Sequence, residues 1–221
     1  HKFAKGTMVM AAGNREEDNA IVVPLSSALN NRFAGHYYLN PDAKLWLEWA
    51  ESQGFPAEFL AFVAFKREKA LYNNDGSDAF PTPRSMAKAA VIIKGIEDRT
   101  MISRLMSGCV GVGLATEYIT YLDVYSKVDL KDIFQNGNIP ADLRNEKPDF
   151  LYALVYAGVS YLVSLGTVKV NGKVAENTVA LLSQMSKLPE LQTLFLKLIV
   201  KYNKLLDSIR VASGFDKIAG K

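Results

Sequence analysis

Three polar side chains stand where short apolar elements end, and their types suit work on a charged ligand. Asn14 follows the run Thr7-Met8-Val9-Met10-Ala11-Ala12 and the turn residue Gly13. A run that short and apolar, closed by Gly-Asn, reads as a fully buried central strand whose terminal turn projects an amide. In open α/β sheets the binding crevice lies outside the carboxyl ends of the strands, so an amide there can orient a phosphate oxygen or an attacking water. The plain alternative is an ordinary Gly-Asn turn. Arg32 closes a short helical pattern of Leu25, Ala28 and Leu29, where a cation also meets the helix dipole favourably. Arg84 follows Pro83 at the start of a second helical stretch.

Other chemistry finds less support. Cys109 is the single cysteine, so no intrachain disulfide forms, and no nearby base makes it a nucleophile. It reads as a small core residue. His1 and His36 are the two histidines, and neither has the companions a metal site needs. Glu16, Glu17 and Asp18 follow Asn14 in a polar loop, where solvation or an intersubunit ion pair explains them better than acid-base catalysis.

The elements that must hold these groups change character along the chain. Gly35 to Leu39 reads as a second short strand, and from Asn40 onward the pattern is helical. Pro41-Asp42 opens a helix with Leu45, Trp46, Trp49 and Ala50 on one face, and Gly54 closes it. Pro56 opens the next helix, with Phe59, Leu60, Val63 and Ala64 recurring at helical spacing. Pro83 opens a third, running through Ile93 and Lys94 to Gly95. Asp98 or Thr100 caps a long helix to about Leu122 that contains Gly108, Gly111 and Gly113. A mixed linker from Asp123 to Lys147 carries a short helix at Leu130 to Phe134. Pro148 opens an apolar helix ending at Leu165, Val168 to Val174 forms a hairpin or loop, and two helices, Val174 to Leu188 and Leu191 to Val211, close the chain.

Taken together, Gly13-Asn14-Arg15-Glu16-Glu17-Asp18, Pro24-Leu25-Ser26, Ala28-Leu29-Asn30-Asn31-Arg32-Phe33 and Phe80-Pro81-Thr82-Pro83-Arg84-Ser85 resemble the AAA+ ATPase superfamily, and most nearly its MoxR-like bacterial and phage branch. The similarity is dense from Met8 to Lys94 and thinner to Tyr121. The resemblance implies that Asn14 is sensor 1, touching the terminal phosphate or the water that attacks it. It likewise implies that Arg32 is an arginine finger reaching the neighbouring subunit's nucleotide, and that Arg84 is sensor 2 on the lid. Arginine suits both tasks because its planar fork stays charged and makes paired hydrogen bonds to phosphate.

The resulting expectation is a mainly α chain in three parts. Residues 1–40 form a two-strand remnant of the α/β nucleotide-binding core, 41–96 the helical lid, and 97–221 a C-terminal helical extension. A full AAA+ protein also needs G-x-x-x-x-G-K-[ST] to cradle phosphates and a strand ending in Asp-Glu for magnesium. Neither is present: Gly166 to Lys173 has five residues between its glycines and Val174 after its lysine, and Leu122-Asp123-Val124 lacks the second carboxylate. Truncation is the simplest explanation, so the chain reads as a C-terminal fragment. ATP and Mg2+ are expected for the full-length parent and neither for this segment alone. The implied partners are further copies in a homo-oligomer, a hexamer by resemblance, and a macromolecular substrate that the ATPase remodels.

Composition agrees with a globular chain. It has 221 residues, 49% of them hydrophobic, and a formal net charge of +3. With both signs interspersed, no strong case exists for nucleic acid or a membrane surface. The cations Lys197, Lys201, Lys204, Arg210, Lys217 and Lys221 make a modest basic tail, read first as a solvated helix face. No secretory signal is visible, and a cytoplasmic location is expected. The competing reading is a non-enzymatic α-helical interaction module, with a nucleic-acid-binding regulator ranked below it.

Overall fold

The computed structural model describes residues 3–14, 25–74, 76–166, 170, 172–212 and 215. It is mainly helical, with no strand among the described residues. Both expected strands, 7–12 and 35–39, are extended coil. Met8, Met10, Tyr37 and Leu39 are each at least 80% exposed. The reason is that a strand, unlike a helix, draws its hydrogen bonds from a neighbour, and neither segment has one. The polar loop Glu16 to Asp18 lies outside the described residues.

Helices begin with a single turn, α1 (Ser27–Asn30), capped by Ser26. The helical body then starts at α2 (Ala43–Ser52), where the Asp42 carboxylate accepts the Leu45 N–H at 2.9 Å. Its buried face is Trp46 and Ala50, while Leu45 and Trp49, expected beside them, are largely exposed. The Trp46 indole donates to the Pro83 carbonyl at 3.1 Å and so ties α2 to the start of α5. Next comes α3 (Ala57–Lys66), which is buried almost all round from Phe59 to Ala64. A helix apolar on every side must be surrounded.

Arg67 interrupts the chain at φ 55°, the left-handed region, and α4 (Glu68–Leu71) follows. Its guanidinium offsets that strain by pairing with Glu190 and donating to the Tyr152 hydroxyl at 3.4 Å. Then α5 (Pro83–Ile93) opens on a reciprocal cap. The Ser85 N–H donates to Thr82 Oγ1 at 3.0 Å, and the Thr82 N–H donates to Ser85 Oγ at 2.7 Å.

The expected long helix from Asp98 to Leu122 is two, α6 (Arg99–Val110) and α7 (Val112–Tyr125). Gly111 separates them at φ 86°, and a Cβ there would lie 2.6 Å from the Ala79 carbonyl oxygen. Only glycine fits both the backbone angle and that close approach. Beyond them, a π-helical turn, Asp132–Asn136, and a 3-10 turn, Leu143–Asn145, lead into α8 (Pro148–Leu165). The final helices are α9 (Gly172–Met185), α10 (Pro189–Val200) and α11 (Asn203–Arg210). Where one closing helix was expected from Leu191 to Val211, the chain bends at Lys201 and Tyr202, with no proline or glycine to announce it. Most of the Val168 to Val174 hairpin or loop lies outside the described residues.

Among the described residues α8 alone is long and apolar enough to cross a membrane. Half of it is buried against the protein, with Leu154, Val155 and Leu162 fully enclosed, which is the pattern of a core helix. It packs chiefly on α3, then on α10 and α7. One contiguous apolar core therefore runs from Ala43 to Phe215, straight across the position near residue 96 where the sequence suggests a boundary.

Phenols line the seam between α3, α7 and α8. Tyr118 packs edge-on against Phe59 and Phe62 at centroid distances of 5.4 and 5.2 Å, and Tyr121 stacks on Phe65 at 6.0 Å. Burial pushes Tyr118, Tyr121, Tyr125 and Tyr156 above the ordinary phenol range. Each folded-state value is raised above the unfolded one. Their contribution to stability is therefore intact below the unfolded phenol value of about 10 and is lost as pH climbs from there. Absorbance at 295 nm during alkaline titration should show at least these four of the ten tyrosines ionising only together with unfolding. All ten ionising while the helical signal stays intact would contradict the packing.

Candidate functional site

The three residues expected to face a nucleotide occupy three separate local settings. Asn14 ends the exposed, non-helical segment 3–14 and is itself exposed. Arg32 lies in the turn after α1, where its backbone N–H donates to the Leu29 carbonyl at 3.1 Å and its side chain is exposed. Just beyond it, His36 Nε2 is 3.2 Å from the Asn30 carbonyl oxygen, and the His36 ring sits 6.1 Å from Phe33. These contacts fold the chain back on α1 and leave the guanidinium outside.

Arg84 is the most firmly placed of the three. Pro83 holds the first position of α5, Thr82 and Ser85 lock the turn, and Arg84 points outward between them. Its surroundings are rigid: Pro81 is buried, Met86 is fully enclosed, and the Pro83 carbonyl is held by Trp46. A long cation on such a base keeps its stem position while its head samples solvent. The N-terminal end of a helix also favours an anion nearby, so the guanidinium and the helix end act in the same sense.

No hydrogen bond or ion pair joins the side chains of Asn14, Arg32 and Arg84 to one another or to another described residue. Their free heads suit contact with a ligand or another subunit. Among the described residues no group of three His, Cys, Asp or Glu side chains could hold a metal ion, and Cys109 is half-buried in the α6 face. Comparison with protein-family models, curated proteins and solved structures finds no match.

A different feature escaped the sequence reading. An open trough of about 480 Å³ runs between α3 and α7 to the first turn of α8. Phe62, Phe65 and Lys66 form one wall, Gly113, Thr116, Glu117, Thr120, Tyr121 and Val124 the other, and Asp149 closes the end. Thr116 and Thr120 donate their hydroxyls to the Val112 and Thr116 carbonyls at 2.9 and 3.0 Å, so they present acceptor lone pairs. Lys66 pairs with Glu117 across the trough. The Tyr121 phenolic oxygen is buried with no hydrogen-bond partner, which is uncommon in a packed core. The spacing of 116, 120 and 124 marks one helical face in the sequence, but the facing wall comes from a helix some fifty residues away.

Proposed function

We propose that this chain is the C-terminal portion of an oligomeric AAA+ ATPase that remodels a macromolecular substrate. In this reading Asn14 orients the terminal phosphate or the attacking water. Arg32 reaches the nucleotide of the neighbouring subunit, and Arg84 grips phosphate oxygens from the lid. The observation that carries the proposal is Arg84 itself: a guanidinium with no hydrogen-bond or ion-pair partner among the described residues, set at the capped start of α5 and backed by buried Met86 and Trp46. A rigid base of that kind lets a cation meet phosphate with little loss of freedom on binding.

The exposed apolar load of residues 3–14 and 25–39 supports the same reading. Phe3, Met8, Met10, Tyr37, Tyr38 and Leu39 are each more than 70% exposed, which a chain rarely leaves to water without a surface to cover it. The missing strands of an α/β core are such a surface, and they also supply the hydrogen bonds that 7–12 and 35–39 need to become strands. The cradle for the phosphates and the magnesium ligands then belong to that other half. The 221 residues alone should turn over no ATP.

Lid attachment gives the bundle its use. Because α5 packs on α6, α6 on α7 and α7 on α8, a small rotation of α5 toward bound nucleotide carries the helical body with it. Arg84→Ala in the complete polypeptide should weaken ATP binding about tenfold or more, the loss of a charge-assisted pair to phosphate. Equilibrium titration with a fluorescent ATP analogue measures it. Unchanged affinity together with unchanged turnover would remove the nucleotide role.

A further inference from the structure

We infer that the trough between α3 and α7 is a docking site for an arginine-bearing segment of a partner polypeptide. The shape argues for a polypeptide. Lining residues run from Gly113 to Val124 along α7, which at the rise of an α-helix is about 16 Å, the reach of several extended residues and more than one guanidinium fills. Glycine at 113 lowers the wall at one end, and nothing lies within 4 Å of where a Cβ would sit there.

The chemistry argues for arginine. The Lys66–Glu117 pair is internally compensated, and Asp149 is then the uncompensated charge in the trough. Asp149 pairs with no cation among the described residues, and one of its oxygens accepts only the Phe150 N–H, at 2.9 Å. Phe65, half-buried at the rim, offers ring surface, which stacks well on a planar cation and on its methylene stem. A guanidinium has donors to spare, so one head can make a forked contact with the Asp149 carboxylate. Lysine, a compact point charge, makes neither the stacked nor the forked contact as well. The inference stands apart from the nucleotide reading, since none of its residues is Asn14, Arg32 or Arg84.

The test titrates the full chain with the blocked tripeptide acetyl-Gly-Arg-Gly-amide, reading Tyr121 ring and Asp149 signals by NMR. Parallel titrations use the citrulline tripeptide, which keeps the shape and lacks the charge, and methylguanidinium, which lacks the backbone. Saturable shifts with the arginine peptide are expected, with binding about tenfold weaker for Asp149→Asn and for the citrulline peptide. Three results would overturn the proposal: no saturable shift, equal binding of the citrulline peptide, or an Asp149→Asn chain that binds as well as the original. Methylguanidinium binding as tightly as the tripeptide would overturn the polypeptide assignment.

Discussion

On the proposed AAA+ reading, replacing Arg32 with alanine in the complete polypeptide should lower ATP turnover by about 10³- to 10⁵-fold while leaving ATP affinity within a few-fold. The asymmetry follows from where the guanidinium acts. Charge spreads onto the transferred phosphoryl oxygens as the bond to the leaving group loosens, and a cation held against those oxygens counts most at that moment. On that reading ground-state binding depends mainly on the phosphate cradle and magnesium of the proposed other half. Arg32 suits action in trans because its side chain is exposed on a turn beyond α1 and has no hydrogen-bond or ion-pair partner among the described residues. Arg32→Lys should rescue little, since an ammonium lacks the fork. Steady-state turnover and equilibrium binding, measured on the same preparations, separate the two effects. A variant that loses affinity and turnover in equal measure would make Arg32 a binding residue instead.

Phe59→Ala should destabilise the helical body by about 3–5 kcal/mol, as removal of a buried aromatic does when the surroundings cannot collapse. Phe59 is fully buried on α3 and meets Tyr118 of α7 edge-on. The helix α3 also carries the main contact with α8, so the cavity opens where the parts before and after residue 96 join. Because one core spans both, urea should unfold them in a single transition, and the variant should shift that transition as a whole. Tryptophan emission follows Trp46 and Trp49 in α2, and far-ultraviolet circular dichroism weighs all the helices. Two separate transitions, with only the tryptophan signal shifted, would show that the lid and the extension fold independently.

The parts of the fold that could be read in advance are those whose causes are local. Asp42, Pro83 and Pro148 sit at helix starts because caps and first-turn prolines work within four residues. The parts that could not be read depend on distant partners. Thr7 to Ala12 has the composition of a buried strand, yet composition supplies no neighbouring strand, and the segment is exposed coil. Gly111 looked like one of three glycines inside a helix, and what ends α6 there is also the approach of the Ala79 carbonyl from another loop. Leu45 and Trp49 lie on the apolar side of α2, but the neighbours cover only Trp46 and Ala50.

The candidate sites divide along the same line. Asn14, Arg32 and Arg84 could be nominated because they stand at the ends of recognisable elements and match a resemblance. On the proposed reading, their gathering around one ligand needs the other half of a nucleotide core and a second subunit. The trough at Tyr121 and Asp149 left no trace in the sequence. Its two walls are α3 and α7, and its open end is set by the first turn of α8.

The most direct test of the nucleotide reading is to mix two variants of the complete polypeptide, Asn14→Ala and Arg32→Ala, and measure ATP turnover. Each variant alone should be nearly inactive, the first for want of its own amide and the second for want of its neighbour's guanidinium. In mixed assemblies an Asn14→Ala subunit still presents Arg32 to an Arg32→Ala neighbour whose own Asn14 is intact, so turnover should reappear and rise toward equal proportions. Mixtures that stay as inactive as their components, or either variant turning over ATP at the original rate, would contradict the account.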